Sequence, residues 1–408
     1  MESVADSKPH VLIVGAGITG LAIAQGLKKA GIPYSIFESE GADTFRPREW
    51  TMGLHWGVPL LEGLIPEDLV SRMDEAVVDP TLDYMTPPTN GSRIYDGITG
   101  EMLKELAVDG KLIRVSRRKL RTLLMEGIDV QYGHALENVE LSDDGQNVTA
   151  VFKNGSKHIG TSLIGSDGPR SAVRGFLFGD QAAAEALKGM IHMSTTFSYG
   201  NAEKAQTLRA AHPVWSMMIH PEVFVYYSVQ DVPSPEKPED WKFFLFACWL
   251  GDNGEEIKAL PAKERLRLLK DKTKVIAEPF RSAVQGVPDD VNFPYLDMIQ
   301  WAGPTHNTHN GRVTLAGDAA HPMSPYRGQG CNNALQDAHN FVQAVTEISK
   351  EPSSQAQLIQ AYADEMSKRG AEEVILSEKN ARMMLSYHGF KESPYFKVGL
   401  SKQHTKAS

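Results

Sequence analysis

The chain is poor in cysteine, has no excess of basic charge and carries no long hydrophobic run. Its 408 residues include two cysteines, Cys248 and Cys331. Two thiols cannot build a disulfide framework, and neither has the CxxC spacing of a metal or redox site. The histidines are scattered, and His306 and His309 read as loop polarity rather than ligation. With 42 Lys and Arg against 51 Asp and Glu the net charge is −9, so no basic stripe for nucleic acid is expected. No apolar stretch approaches the roughly 18 residues of a membrane span. The N-terminal apolar run lacks the basic flank and cleavage site of a signal sequence, and a soluble, cytoplasmic protein is expected. A hydrophobic fraction of 41% with 23% charged residues excludes a disordered or fibrous chain. The length allows two to three domains, and no repeat is present.

What is there begins at His10. The apolar, β-branched run Val11-Leu12-Ile13-Val14 leads into Gly15-Ala16-Gly17-Ile18-Thr19-Gly20 and then a helical pattern. Glycines in this spacing let a backbone turn tightly and approach a pyrophosphate at a helix N-terminus, where free N–H groups and the positive dipole end favour an anion. A second strand, Tyr34 to Phe37, delivers Glu38 about 20 positions on. An acid there accepts hydrogen bonds from a ribose diol and repels a 2′-phosphate, which points to an unphosphorylated adenosine, as in FAD or NAD. A lone GxGxxG is weak; strand, turn, helix, strand and acid in order are not.

Three later segments favour FAD. Ser116-Arg117-Arg118-Lys119 opens a basic helix after the strand-like run Lys111 to Val115. Leu163 to Arg174 joins a strand, the turn Asp167-Gly168 and a short basic helix. Far downstream, Val313 to Ala316 ends at Gly317-Asp318, and Gly328 to Asn332 leads into a helical run, so a second helix N-terminus could stabilise negative charge on a reduced flavin ring. Pro322 and Pro325 stiffen this loop.

With these segments in order from residue 9 to about 380, the chain resembles the group A, single-component flavin-dependent aromatic hydroxylases, the family of para-hydroxybenzoate and salicylate hydroxylases. In size and in the segment Trp50 to Trp56 it is similar to fungal tailoring enzymes of natural-product metabolism. The resemblance implies an α/β fold: a Rossmann-like FAD-binding domain of the glutathione-reductase type, an inserted antiparallel β-sheet substrate domain and C-terminal helices. It also implies that Gly15, Gly17 and Gly20 seat the adenosine diphosphate, Glu38 the ribose and Arg117 the pyrophosphate. Asp167 would serve FAD and a transient nicotinamide, and Gly317 with Asp318 the ribityl chain. The backbone at Gly330, Cys331 and Asn332 would face the ring edge, and Gly53 is counted with the cofactor-binding residues. The implied activity is monooxygenation with NADPH or NADH as transient reductant and O2, through a flavin C4a-hydroperoxide, hydroxylating or epoxidising an aromatic or other electron-rich small molecule. A thiol at Cys331, where the family often has a small residue such as Ala, would be open to oxidation.

The expected division is 9–185 for the first part of the FAD-binding domain, 186–300 for the β-sheet domain, 301–382 for the second FAD-binding part with its helices, and 383–408 for a tail. Residues 1–8 read as a further tail. Strands are expected at Ile191 to Tyr199, Val214 to His220, Val223 to Gln230, Trp241 to Leu250 and Val291 to Trp301, a helix at Glu255 to Lys272, and hairpins around Asp143-Asp144-Gly145 and Asn154-Gly155. Candidates to line a substrate pocket are Trp215, Tyr226, Tyr227, Phe244, Phe246 and Trp249, of which alternation turns about half inward. The catalytic candidates are Arg48, His55, Tyr227 and Pro325; His212 and His220 are further possible bases, and Arg46 shares the nicotinamide role with Arg48. A monomer or homodimer is expected. Rival readings on the same motifs are a flavin oxidase or dehydrogenase, a Baeyer–Villiger oxygenase, and a flavin-free relative of the Rab GDP-dissociation inhibitor type.

Overall fold

The computed structural model describes residues 9–44, 49–108 and 110–398. Strand β1 (Val11–Val14), helix α1 (Ile18–Lys29) and β2 (Tyr34–Phe37) form the opening unit. All four residues of β1 are buried, as a strand covered on both faces requires. The loop expected from Phe45 to Gly57 contains a strand, β3 (Thr51–Leu54), followed by α2 (Val58–Leu64) and α3 (Glu67–Ser71). Strands β4 (Gly91–Asp96), β5 (Met102–Ala107) and β6 (Ile113–Ser116) come next, and β6 runs antiparallel to β3. Helix α4 (Arg117–Met125) then leads to β7 (Val130–Gln131). The two expected hairpins are present as β8 (Leu136–Leu141), β9 (Val148–Phe152) and β10 (Lys157–Gly160), a three-stranded antiparallel sheet. Strand β11 (Ser162–Gly165) and α5 (Ala172–Phe178) end this half.

The inserted region holds β12 (Glu185–Ala186), β13 (Met190–Ser198), α6 (Ala202–Ala211), β14 (Trp215–Ile219), β15 (Phe224–Asp231) and β16 (Lys242–Leu250). Four of the five expected strands are therefore present. The helix expected at Glu255 to Lys272 is two, α7 (Gly254–Ala259) and α8 (Ala262–Lys272), separated at Leu260 and Pro261; proline there has no N–H to continue the first helix. After α9 (Phe280–Gln285) the segment Val291 to Trp301 is mostly irregular. It pairs only through β17 (Ile299–Gln300), against β12, and through a bridge from Tyr295 to Met193. The large sheet has six strands in the order β13-β16-β15-β14-β4-β5. Two of these come from residues 91–107, outside the 186–300 segment, and β4 pairs with β14 in parallel, so the sheet is not purely antiparallel.

Strand β18 (Val313–Leu315) completes a five-stranded parallel sheet, β18-β11-β1-β2-β7, assembled from residues about 300 apart. Helices α10 (Gly330–Lys350) and α11 (Gln355–Met384) follow, with α10 packed on α1. The expected tail from 383 is folded as far as 398. Phe390 and Tyr395 are buried, α12 (Pro394–Val398) lies against the end of the chain's large sheet, and Tyr387 donates to Asp96 Oδ2 at 2.8 Å. Aromatic residues there repay the ordering of the segment by covering the edge pair β4 and β5. Residues 1–8 and 399–408 lie outside the described residues.

Candidate cofactor and substrate site

The first wall of the site is the turn between β1 and α1. Gly15 has φ +103, a conformation that side chains resist, and a Cβ there would lie 2.5 Å from the carbonyl oxygen of Ser166. A Cβ on Gly20 would overlap the Gly15 carbonyl oxygen and come 2.6 Å from Ser166 Oγ, so its hydrogen allows α1 to sit on the turn. Gly17 is different: it is the N-cap of α1, no side chain caps the helix, and nothing lies within 4 Å of where its Cβ would be. Open space beside uncapped helix N–H groups suits a pyrophosphate. Glu38 is half-buried at the end of β2; one oxygen accepts from Ala16 N at 3.1 Å, the other from Ser39 Oγ at 3.0 Å and Glu40 N at 3.2 Å. These contacts hold the carboxylate against the glycine turn. Arg121 Nε donates to the Ala16 carbonyl at 2.8 Å, tying α4 to the same turn, and the Arg117 guanidinium lies 4.8 Å from the Trp50 ring centre.

The second wall is the loop after β18. Gly317 (φ +61) donates its N–H to Asp337 Oδ2 at 2.7 Å, and a Cβ on it would meet Thr19 Oγ1 of α1 at 2.6 Å. Asp337 is fully buried and also takes His321 Nε2 at 2.7 Å and Arg369 Nη2 at 2.6 Å. Burial alone would raise its carboxyl, but His321 and Arg369 hold it below the usual carboxylate range. Asp318, next along, is exposed in a loop between buried neighbours, and no described hydrogen bond uses its carboxylate. Desolvation by the protein around it pushes it above the usual range, against the pull of His321 and Arg117. Arg117 and Asp318 thus share one electrostatic site although 200 residues separate them.

At the start of α10 the N-cap, Gln329, makes no side-chain cap. The Asn332 side chain faces inward: Oδ1 accepts from His55 N and Gly57 N at 3.1 Å each, and Nδ2 donates to the carbonyls of Gly53 at 3.0 Å and Gly328 at 3.1 Å. It clamps the end of β3 to α10, leaving only backbone at Asn332 for a ligand. The Cys331 thiol is pushed up to about 12 by burial and by the Asp318 charge, which keeps it protonated and slow to oxidise. Asp167 spends its carboxylate on Ser171 Oγ at 2.5 Å and Ala172 N at 2.7 Å, organising the start of α5.

Among the catalytic candidates, Arg48 and Arg46 lie outside the described residues. His55 is buried beside Trp56, its Nε2 has no partner, and burial lowers it to about 4, so it is neutral at physiological pH. Pro325 is exposed, opening the short turn Pro325–Arg327. Tyr227 must be withdrawn from the site. Strand register turns Tyr227 and Trp249 to the far face of the six-stranded sheet, where Tyr227 packs on Phe280 of α9 and Trp249 lies under Lys272 of α8. His212 is also structural: one ring nitrogen contacts the Pro88 carbonyl at 2.9 Å and the other accepts from Val214 N and Trp215 N. His220 sits at the distal end of β14, accepting from Glu222 N. His306 contacts Thr314 Oγ1 at 3.4 Å and Phe178, and no metal-ligating cluster occurs among the described residues.

The near face of the sheet carries Trp215, Tyr226, Phe244 and Phe246. Tyr226 and Phe244 are only half-buried although they stand on interior strands, so their exposure opens to the cleft. Thr51 Oγ1 meets Ser228 Oγ at 2.8 Å, which brings this face against β3. Sequence reasoning missed four residues here. Tyr326 inserts its ring among Phe224, Phe246 and His192, Arg114 and Asp337 are buried ionic groups, and Arg369 is a half-buried one paired with Asp337. Tyr326 adjoins Pro325 and could have been flagged as an aromatic in a stiff loop; a buried arginine leaves no local signal.

The FAD binding domain family model matches residues 8–233 and 300–376. The chain is 38% identical to the FAD-dependent monooxygenase phnB of Penicillium herquei over 96% of this chain and 94% of that one. It is 36% identical to the FAD-dependent monooxygenase cctM of Talaromyces islandicus, with 97% of each covered. Among solved structures it is similar to Klebsiella pneumoniae HpxO complexed with FAD and uric acid, with TM-score 0.76, 19% identity and 96% and 95% coverage. It is also similar to 2,6-dihydroxypyridine-3-hydroxylase of Arthrobacter nicotinovorans, with TM-score 0.75, 18% identity and 98% of each chain covered. At these identities the structural likeness speaks for the fold.

Proposed function

The chain belongs to the FAD binding domain family and is an FAD-dependent monooxygenase of the kind found in fungal secondary metabolism; on that premise we propose how its own residues carry the reaction. The observation that supports the reading is that the loop carrying Asp318, an unbonded carboxylate, packs through Gly317 on Thr19 in the first turn of α1, whose start at Gly17 is open beside uncapped N–H groups. In this reading Gly15, Gly17, Gly20 and Arg117 hold the diphosphate, Glu38 the adenosine ribose, and Gly317 with Asp318 the ribityl chain. Gly53 and the backbone of Gly330, Cys331 and Asn332 line the ring edge, and Asp167 orders the loop a nicotinamide would approach. When bound, FAD reduced by NADH or NADPH supplies the oxygen activation, with one atom of O2 passing to an aromatic or other electron-rich natural product.

The protein's contribution is orientation, charge and exclusion of water. The uncapped start of α10 offers N–H groups and a positive dipole end to negative charge. Tyr226 and Phe244 stack a flat substrate against the wall formed by Pro325 and Tyr326. His55, held neutral, offers Nε2 as an acceptor for a substrate hydroxyl proton, and Arg48 meets the reductant. No helix is long and apolar enough to cross a membrane among the described residues; we assign the enzyme to the cytoplasm, as monomer or homodimer.

The test is direct. The purified protein should be yellow, oxidise NADH or NADPH slowly, and do so faster with an accepted aromatic, with one labelled oxygen from dioxygen in the product. Label arriving from water, or a flavin that neither nicotinamide reduces with any aromatic, would refute the reading, the second in favour of an oxidase.

A further inference from the structure

Arg114 on β6 is 9% exposed, and no carboxylate among the described residues pairs with it. Its Nε donates to Thr51 Oγ1 at 2.7 Å and its Nη2 to the Thr51 carbonyl at 3.2 Å. A guanidinium has five N–H donors, so most remain for another acceptor. The cation lies 5.5 Å from the ring centres of both Trp215 and Tyr226. Around it, Trp215 Nε1 is buried without a hydrogen-bond partner, the Tyr226 hydroxyl is turned toward Arg114, Ser228 and Thr51, and the buried Tyr395 and Ser92 hydroxyls face each other. Buried polar atoms are rarely left unpaired. Several donors and a cation gathered at one place call for an acceptor carrying negative charge.

The cluster adjoins the proposed ring edge. A Cβ on Gly53 would lie 3.3 Å from Arg114 Nη1, and the Gly53 carbonyl receives Asn332 Nδ2 at the start of α10. Tyr226 spans the two regions, its ring open to the cleft and its hydroxyl turned into the cluster. Tyr395, from the folded C-terminal segment, closes the far end beside Ser92.

We propose that Arg114, with Trp215 and Tyr226 as neutral donors, is the anchoring subsite for an anionic oxygen of the substrate: a carboxylate, enolate or phenolate on a flat aromatic. This rests on the oxygenase reading, which makes the cleft beside Gly53 the substrate chamber. Arg114 is a binding and orienting residue: holding one edge of the substrate fixes which carbon faces the cofactor, and an ionised oxygen makes the ring more electron-rich.

The experiment uses the holoenzyme without reductant and reads affinity by titration calorimetry. One probe pair is 1-hydroxy-2-naphthoate and its methyl ester; the other is 2-hydroxy-1,4-naphthoquinone, an acidic enol, and its 2-methoxy ether. The anion of at least one pair should bind about tenfold or more tightly than its neutral partner, the first pair identifying a carboxylate and the second an enolate. Arg114→Gln should remove that preference, weakening the anion by roughly 10- to 100-fold while the neutral partner changes less than about threefold. Tyr226→Phe, which deletes one oxygen and keeps the ring, should weaken the anion by about fivefold, and it serves if Arg114→Gln fails to fold. No preference in either pair, or a preference unchanged in a folded Arg114→Gln holoenzyme or in Tyr226→Phe, would overturn the proposal. Flavin content separates the two ideas: protein without flavin refutes the oxygenase reading whatever the anion affinity, and flavin-loaded protein without anion preference refutes the subsite alone.

Discussion

Adding one methyl group at Gly17 or at Gly20 should have opposite consequences, although both glycines belong to one turn. At Gly20 the new Cβ would overlap a backbone oxygen and lie 2.6 Å from Ser166 Oγ. Neither neighbour is the free end of a flexible side chain, so α1 must move off the turn. Overpacking of this kind costs about 1–3 kcal/mol. For 408 residues the unfolding entropy is on the order of 0.9 kcal/mol per degree, so Tm should fall by about 3 °C at the upper end. At Gly17 the backbone is already extended (φ −77, ψ −175) and nothing lies within 4 Å of the added carbon. Apoprotein stability should therefore stay within about 0.5 kcal/mol. The methyl would instead stand where the diphosphate approaches the helix N–H groups. Loss of one hydrogen bond to a charged group, about 1.5–3 kcal/mol, weakens FAD by roughly 10- to 150-fold. The assays are thermal unfolding of both apoproteins and titration of each with FAD by flavin fluorescence. If Gly17→Ala binds FAD as tightly as the natural protein, the cradle has been put in the wrong place.

Asp337→Asn should destabilise the protein by about 3 kcal/mol, because it leaves Arg369 and His321 without their buried carboxylate. Since the folded carboxyl is held below its unfolded value, its contribution is present above pH ~4 and lost as pH falls through the folded value, so the natural protein should lose more stability in acid than the variant; parallel urea midpoints against pH would count against this. Asp318→Asn should move the two readouts apart. The folded carboxyl is raised above its unfolded value, so ionising it at neutral pH costs stability, and the apo variant should be at least as stable as the natural protein at pH 7 while retaining FAD about tenfold less well. A variant with unchanged flavin retention would remove Asp318 from the ribityl role.

Much of the site was legible because its signals are local. A turn that needs φ +103 at Gly15, and a helix that cannot approach unless position 20 lacks a side chain, leave their mark on the residues themselves. Apolar, aromatic-rich runs likewise located β13 to β16, since a strand with two buried faces must be apolar along its length. It could not say which face meets the cleft: Tyr226 and Tyr227 are adjacent, equally aromatic, and face opposite ways, and the choice depends on α8 and α9 covering one side. The tail from 383 was misread because its short apolar stretches acquire a partner only when β4 and β5 join the inserted sheet.

The sequence by itself determined the opening strand-turn-helix-strand unit, the glycine turn at Gly15 to Gly20, the position of Glu38 at the end of β2 and the second turn at Gly317 and Asp318, because each rests on the conformation or charge of a few consecutive residues. Only the tertiary structure decided which side chains share a space. Arg117 beside Asp318, Asp337 between His321 and Arg369, and Arg114 among the side chains of Trp215, Tyr226 and Tyr395 are encounters across 16 to more than 250 positions. Burial sets the energy of such groups, and burial is a property of the packed chain, with no trace in the residues taken one segment at a time.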